Sequence, residues 1–353
     1  MLNAIHALNH RSHQYVDRAS NTIQTERLIA DPFIAWLYST RREENSYLFR
    51  LATSRLMTGL LAYLNYDAPI ASRFSSASRI LQQLGIDTNE LVTPFPKRPS
   101  VRDVFERRVR YWECRPLPDD PRRIVSPSDA KMLVGNFSDD GFLPVKEKFF
   151  TLEELLTPEK TEWRDRFEGS DWAIFRLTAE KYHYNHLPVT GTLVDFYEID
   201  GSYHSCNPSA VIQIVTPYSK NRRSVSIIDT DVAGGSSAGL VAMIEVTALM
   251  IGEIEQCYCA DGYGAATTPM LGMPMTRGAV KSLFRPGSST VILLFERNHI
   301  RFDSDLVTNS VRRDVVTRYA GAFGKPFVET EVRARSAIAT SIATTHAKEQ
   351  AHD

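Results

Sequence analysis

The chain has 353 residues, is 43% hydrophobic and 24% charged, and carries 41 Lys and Arg against 42 Asp and Glu. This near-neutral charge argues against a dedicated nucleic-acid-binding protein, and the 10% aromatic content argues against a mainly disordered chain. Four cysteines in a chain of this length do not form a disulfide framework, so we expect a soluble protein in the reducing cytoplasm.

No signal peptide or membrane-spanning segment is expected. The amino terminus lacks a long apolar stretch behind a basic head. The most apolar window, residues 239–254, is too short to cross a bilayer comfortably and carries Glu245 and Glu253. We therefore expect a buried strand pair or a core helix in this window.

The first 115 residues are predicted to form a helical amino-terminal domain. An Asp-Pro start and apolar residues at helical spacing predict a helix over residues 31–64. A second helix is expected over residues 75–84, before a glycine that suits its carboxyl end. Ser100 begins a capping-box pattern that predicts a third helix over residues 101–112.

Residues 116–335 are predicted to form a β-rich domain. Short β-branched runs separated by Gly, Asp, Asn and Pro predict strands over residues 191–199, 210–218, 223–230 and 289–296. A helix is expected at residues 152–156, and residues 336–353 are expected to form a weak helix or a frayed tail. The predicted fold class is α+β, with a helical amino-terminal extension followed by a β-rich domain.

A Gly-Ser-Ser tripeptide begins at Gly287, immediately before an apolar run. A serine hydroxyl can attack the carbonyl of the preceding residue, and glycine there permits the unusual backbone angles that such an attack needs. A neighbouring base is then required to activate the hydroxyl. The same tripeptide is also an ordinary turn before a strand, and a second copy includes Ser236.

His183 and His186 lie three residues apart in a Tyr-His-x-x-His pattern. This spacing suits a metal pair on a helix or two catalytic bases on a loop. No third ligand with convincing spacing follows, so we predict no metal. A second pair, His10 and His13, lies in the polar amino terminus and is expected at the surface.

Two further features carry weaker signals. Asp129 lies in a Ser-Pro-Ser-Asp-Ala turn, where most Asp residues serve as turn formers. Cys257 and Cys259 alternate so that both thiols share one strand face. We expect both cysteines in the core, because no second pair completes a zinc site.

Taken together and in order, these segments resemble the phosphatidylserine decarboxylase family of pyruvoyl-dependent enzymes. The resemblance rests on SPSDAKMLV from residue 126, KYHYNHLPVTG from residue 181 and RGAVKSLFRPGSSTVILLF from residue 277. It covers roughly residues 124–295. The second Gly-Ser-Ser tripeptide, at Ser236, is not preceded by the Arg-Gly…Phe sequence that precedes Ser288. The helical extension and the KEKFF segment at residues 146–150 resemble the tryptophan-decarboxylase-like branch of that family.

The resemblance implies a self-processing triad of Asp129, His186 and Ser288, with cleavage between Gly287 and Ser288. In this scheme His186 takes the hydroxyl proton, while Asp129 orients and stabilises the imidazolium. Elimination from the resulting ester leaves a covalent pyruvoyl group derived from Ser288. The small chain, residues 288–353, then stays as the partner subunit of the large one.

The pyruvoyl group is implied as the cofactor; it forms a Schiff base with a substrate amine and accepts the electrons released with carbon dioxide. His183 matches the family's first histidine and is the candidate for placing the substrate or delivering the proton. Ser289 is the alternative nucleophile, although Ser288 is preferred because it directly follows the only glycine there. The sequence departs from the family at three positions that do not react: Ala130, Thr190 and Pro286.

The first interpretation of the activity is decarboxylation of a free amino acid, with an aromatic one as the branch's best-known choice. The alternative is conversion of phosphatidylserine into phosphatidylethanolamine at a membrane surface, where a basic cluster docks anionic headgroups or is simply a solvated helix face. That cluster consists of Lys97, Arg98, Arg102, Arg107, Arg108 and Arg110. A third interpretation is a catalytically silent relative that acts as a binding protein. Family analogy also implies a homodimer.

Overall fold

The structure is a computed structural model. It describes residues 12–26, 85–96, 99–137, 151–178, 180–211, 217–248, 253–264, 266–285, 289–323 and 325–342. The helices predicted over residues 31–64 and 75–84 lie outside these ranges, as do the KEKFF segment and the proposed processing residues Gly287 and Ser288. The β-rich content and short helices of the described part agree with the predicted α+β class.

A ten-stranded sheet is the main element of the described fold. Its strands, in order across the sheet, are Pro274–Met275 (β11), Gly191–Ile199 (β7), Arg223–Asp229 (β8), Leu240–Val246 (β9), Ser289–Phe295 (β13), Asp171–Leu177 (β5), Ala130–Asn136 (β4), Thr330–Val332 (β15), Gln14–Asp17 (β1) and Thr22–Thr25 (β2). All neighbours are antiparallel except β1 and β15, which are parallel.

Two three-stranded antiparallel sheets accompany the large one. The first consists of Ile254–Cys259 (β10), Val280–Phe284 (β12) and Tyr184–His186 (β6), and the second of Ile300–Phe302 (β14), Ala337–Ser341 (β16) and Arg123–Val125 (β3). Both pack on the same face of the large sheet, because residues of both share one hydrophobic cluster with it. This face therefore carries both small sheets, including β6 and β12.

Short α-helices pack on both faces of the large sheet and against the first small sheet. Within the described residues they are Val101–Phe105 (α1), Tyr111–Cys114 (α2), Leu152–Leu156 (α3), Thr161–Arg166 (α4), Pro208–Val211 (α5), Pro217–Lys220 (α6), Ser304–Ser310 (α7) and Arg318–Phe323 (α8). On the face opposite the small sheets, Leu155, Leu156 and Tyr319 pack with the large sheet. Leu306 of α7 instead packs in the cluster shared with the small sheets, and Tyr111 of α2 packs with residues of the first small sheet. Among the described helices, none has the length and apolar character needed to span a bilayer.

Burial on both faces explains the continuous apolar run of β13. Val291, Leu293 and Phe295 pack into the cluster shared with the small sheets, whereas Ile292 and Leu294 pack beneath the helices. A strand covered on both sides needs apolar residues at every position rather than at alternate ones. The strand predicted over residues 289–296 is confirmed, and β7, β8 and α3 likewise match their predicted ranges.

Three predicted elements differ from the structure. Residues 210–218 were expected as a strand, but α5 and α6 occupy part of this range, each with proline at its first position, where proline suits a helix. The capping box at Ser100 is present, yet α1 ends at Phe105 and does not continue to residue 112. Ala337–Ser341 forms a strand instead of a weak helix or tail, because β3 and β14 flank it on both sides.

The amino-terminal hairpin of β1 and β2 belongs to the large sheet, although it precedes the predicted domain boundary at residue 115. The domain limits themselves stay a prediction. The prediction that His13 lies at the surface is wrong. Its ring is buried, and its Nε2 lies 2.8 Å from Glu329 Oε2. Arg176 forms ion pairs with both Glu26 and Glu329. Ion pairs between residues far apart in the sequence therefore hold the end of the hairpin against the rest of the sheet.

Candidate functional site

The three sequence segments that carry the family resemblance meet around β6. His186 N donates to Pro127 O at 2.7 Å, which ties the strand to the Ser-Pro-Ser-Asp turn. On its other side β6 pairs with β12, and His186 lies opposite Val280. Segments more than fifty residues apart in the chain therefore form one buried site.

His186 is completely buried, and its hydrogen bonds define its tautomer. Nδ1 lies 2.9 Å from Gly278 O, and because a carbonyl only accepts, we assign the proton to Nδ1. Nε2, which then carries the lone pair, lies 3.1 Å from the Tyr182 hydroxyl. Burial lowers the pKa of His186 to about 4, although the Gly278 bond opposes this shift. The ring is therefore neutral at pH 7 and is equipped to accept a proton at Nε2.

Tyr182 connects His186 to a second phenol. Its hydroxyl lies 2.7 Å from the Tyr263 hydroxyl, which in turn donates to Val109 O. Burial first, and the neighbouring Tyr263 second, raise the pKa of Tyr182 well above its usual range. The Tyr182 hydroxyl therefore stays protonated. Because Tyr263 gives its proton to Val109 O, the single proton of Tyr182 goes either to the Tyr263 oxygen at 2.7 Å or to His186 Nε2 at 3.1 Å, and the lone pair at Nε2 stays available in the first case.

Asp129 is buried beside Arg115 rather than in contact with His186. Arg115 donates from Nε to Oδ1 at 2.9 Å and from Nη2 to Oδ2 at 2.6 Å, and Ala334 N donates to Oδ1 at 2.8 Å. Burial alone would raise the pKa of Asp129, but the Arg115 charge and these hydrogen bonds hold it below its usual value. Asp129 is thus an anion, and its influence on His186 is electrostatic.

Arg115 is a functional candidate that the sequence analysis missed. It lies 14 residues before Asp129 and follows a helix, so no local motif links the two. Arg115 also pairs with Glu90 at 2.8 Å, which makes it the centre of a three-residue charge cluster. The ion pair between Asp129 and Arg115 is therefore visible only in the folded structure.

His183 lies immediately before β6 in an extended segment. Its side chain is buried, its ring centroid lies 4.9 Å from that of Phe105, and its carbonyl accepts from Phe284 N at 3.0 Å. The helical geometry that a His-x-x-His metal pair requires is therefore absent at this position. Cys259 is buried and Cys257 half-buried at the predicted strand, as expected for core residues.

Ser289 is the first residue of β13 and is fully buried. It pairs with Leu177 of β5, and β5 pairs in turn with β4, which begins one residue after Asp129. At the usual strand spacing this places the start of β13 about 10 Å from the start of β4. Among the described residues the Ser289 hydroxyl has no hydrogen-bond partner.

A buried ion pair between Lys281 of β12 and Glu245 of β9 connects this site to the large sheet. Lys281 Nζ lies 2.5 Å from Glu245 Oε2, and both side chains are fully buried. Glu245 also accepts hydrogen bonds from Ser282 and Asn185. Asn185 lies between the two histidines, and its Oδ1 accepts from Ser128 Oγ at 2.6 Å. The pair thus links the Asp129 turn, β6 and β12 to β9.

We expect Lys281→Met to destabilise the chain by about 3–5 kcal/mol, because it leaves the Glu245 carboxylate buried without a counter-charge. The matched double variant Glu245→Gln/Lys281→Met removes both charges and should be much closer to the parent. Urea denaturation measures both, in a Ser288→Ala background so that uncut chains are compared. Equal stability of the single and double variants would contradict this account.

The fold and the site define a β-rich protein with a buried, neutral histidine. A family model described as phosphatidylserine decarboxylase matches residues 101–319. Three relatives are each named phosphatidylserine decarboxylase proenzyme. The one from Ruminiclostridium cellulolyticum is 26% identical over 83% of this chain and 91% of its own length. The one from Fusobacterium nucleatum is 26% identical over 89% and 97%, and the one from Desulfitobacterium hafniense is 28% identical over 83% and 91%.

The chain belongs to the phosphatidylserine decarboxylase family, and the family resemblance of the sequence motifs is confirmed. It is accordingly a pyruvoyl-dependent carboxy-lyase. The word proenzyme in the relatives' names agrees with a precursor that is cut into two chains. The tryptophan-decarboxylase-like branch and the individual site residues stay predictions.

Proposed function

We propose that this chain is a self-processing decarboxylase that converts phosphatidylserine into phosphatidylethanolamine. The observation that carries the proposal is the match to phosphatidylserine decarboxylase over most of the chain, at a site with a buried neutral base. The relatives' names favour the lipid substrate, which the motifs had placed second, over a free amino acid.

The proposed processing step uses the chain's own residues. The Ser288 hydroxyl oxygen attacks the Gly287 carbonyl carbon while His186 Nε2 accepts the hydroxyl proton. The Gly287–Ser288 C–N bond breaks, the proton passes to the released Ser288 amine, and an ester joins the two residues. Loss of the Ser288 Cα proton then expels the Gly287 carboxylate, and hydrolysis releases ammonia and leaves the pyruvoyl group. The charge of Asp129 favours the transient imidazolium, against the opposing charges of Arg335 and Arg115, and the Gly278 carbonyl fixes the ring orientation.

The pH dependence of cleavage follows from the lowered pKa of His186. Because the neutral ring is the base, cleavage needs a pH above about 4 and loses about tenfold per pH unit below that value. Freshly synthesised proenzyme, followed by gel electrophoresis, should therefore be cut at nearly constant rate between pH 5 and pH 8. A midpoint near the ordinary histidine value, about 6.5, would contradict the assignment.

The pyruvoyl group supplies the electron sink for loss of carbon dioxide. We propose that His183 places the substrate or delivers the proton that replaces the carboxylate. His183→Ala should then be cut normally but decarboxylate about 10²–10⁴ times more slowly, the usual contribution of an acid or base. Mass analysis reports the cleavage and carbon dioxide release reports the activity. An uncut His183→Ala chain would instead assign the residue to processing.

The basic cluster does not support headgroup docking where it is described. Arg107 is buried and donates to the carbonyls of Val104 and Glu180. Arg102 pairs with Glu106, and Arg110 pairs with Glu113. Lys97 and Arg98 lie outside the described residues. These internal contacts favour a structural role for Arg102, Arg107 and Arg110. A cytoplasmic location and a homodimer stay predictions.

A substrate panel tests the proposal. Purified protein is given phosphatidylserine vesicles, a short-chain phosphatidylserine below its micelle concentration, and free amino acids including tryptophan. Release of carbon dioxide from both lipid forms, with phosphatidylethanolamine as product, is the expected result. Release from free amino acids alone would restore the first interpretation, and an intact chain without activity would favour the binding protein.

A further inference from the structure

We propose that the loop between β10 and β11 inserts its tip, Met270 and Leu271, into the surface of a lipid bilayer. The proposal rests on the proposed function, because it explains how a buried site reaches a membrane lipid. It concerns a surface that none of the sequence motifs includes.

The tip is the most exposed apolar feature of the described residues. Met270 is 69% exposed and Leu271 is 65% exposed. Val194 of the neighbouring strand β7 is also exposed. Residues 262–276 contain no Asp, Glu, Lys or Arg, in a chain that is 24% charged. A charged side chain is costly to bring into hydrocarbon, so an uncharged segment with an apolar tip suits insertion.

Hydrogen bonds hold the tip away from the protein surface. Met273 N donates to Met270 O at 3.1 Å, which closes the turn, and Gly272 adopts a φ of +79° within it. Gly272 N donates to Leu193 O at 2.8 Å, and Leu193 N donates to Met273 O at 3.0 Å. The loop is therefore anchored on β7, and its apolar side chains are presented outward in a fixed conformation.

Both ends of the loop contact the environment of His186. At one end, the Tyr263 hydroxyl reaches Tyr182, which bonds His186 Nε2. Beyond its other end, three residues after β11, Gly278 O accepts from His186 Nδ1. Leu271 lies seven residues before Gly278, so the tip is at most about 25 Å from the site. Insertion of the tip would thus bring the site close to the lipid headgroups.

The size and chemistry of the tip favour lipid over a protein partner. Stable protein interfaces bury about 800 Å² on each partner and depend on aromatic or arginine anchors, whereas this tip offers two aliphatic side chains. Insertion into a lipid surface requires only a few apolar side chains without charge. The uncharged sequence also predicts that binding resists high salt, unlike docking through a basic patch.

Vesicle co-sedimentation tests the proposal on the full-length protein. The test variant is Met270→Asp/Leu271→Asp, and the matched control is Val311→Asp. Val311 is 62% exposed and follows α7, which packs on β4 and β15. It is therefore roughly 30 Å across the sheet from β11. Vesicles of phosphatidylcholine, with and without phosphatidylserine, are used at low and high salt, and melting temperatures establish that each variant is folded.

The expected result is at least about a tenfold loss of vesicle binding in the tip variant, with Val311→Asp and the parent alike in both salts. Activity on short-chain phosphatidylserine should be unchanged, while activity on vesicles should fall with binding. Equal vesicle binding of the tip variant and the parent would overturn the proposal. A tip variant that binds vesicles like the parent but no longer self-associates would also overturn it. Absence of activity on short-chain lipid in the parent, with binding as expected, would count against the proposed function instead.

Discussion

Ser288→Ala should leave the chain as a single 39.9 kDa polypeptide without decarboxylase activity. The reason is that alanine lacks the hydroxyl that attacks the Gly287 carbonyl, and no pyruvoyl group can form. The effect on activity is complete loss rather than a reduction, because the nucleophile and the cofactor precursor are the same residue. Denaturing gel electrophoresis and carbon dioxide release measure the two consequences in one preparation.

Two serines provide matched controls for this result. Ser289→Ala changes the adjacent residue, the buried first position of β13, and should still be cut. Ser236→Ala changes the second Gly-Ser-Ser tripeptide, whose hydroxyl instead accepts from Thr190 N at 2.9 Å. It should also be cut. Cleavage of Ser288→Ala together with an uncut Ser289→Ala would transfer the processing role to Ser289.

His186→Ala is expected to slow self-cleavage by about 10²–10⁴-fold, the usual contribution of a general base. The ring is neutral, with its lone pair on Nε2, and the Gly278 carbonyl fixes that tautomer. Pulse-chase labelling of newly made chain measures the rate constant. Circular dichroism and the melting temperature show whether the variant still folds.

Tyr182→Phe is the matched control for His186→Ala. It keeps a buried aromatic ring beside the imidazole but removes the hydroxyl that bonds Nε2. Cleavage should persist, because the lone pair of His186 stays available without this partner. If a folded His186→Ala chain matured as fast as the parent, another base would have to be responsible.

The sequence predicted the elements whose signals are local. Glycine and asparagine or aspartate boundaries around β-branched runs located β7, β8 and β13, and Ser100 located the start of α1. The three motifs around Asp129, His186 and Ser288 predicted the family, which the comparison confirmed. Hydrophobic patterns and helix caps depend on residues that are close in the sequence, so they can be predicted from the sequence alone.

The features that the sequence did not reveal depend on distant partners. Arg115 neutralises Asp129, and Glu245 and Lys281 pair across two sheets, without any spacing rule that links them. β16 forms from a segment of low strand propensity because strands pair on both sides of it. The Asp129–His186 contact implied by the resemblance is replaced by the Gly278 carbonyl at Nδ1, a backbone partner that no sequence motif specifies.

Mass spectrometry of the purified protein under denaturing conditions tests the central claim most directly. We predict two chains, one ending at Gly287 and one spanning residues 288–353, with a pyruvoyl group blocking the amino terminus of the smaller chain. Treatment with a carbonyl-reactive hydrazine should shift the mass of the smaller chain alone. A single intact chain of 39.9 kDa with an unmodified Ser288 would contradict the self-processing account.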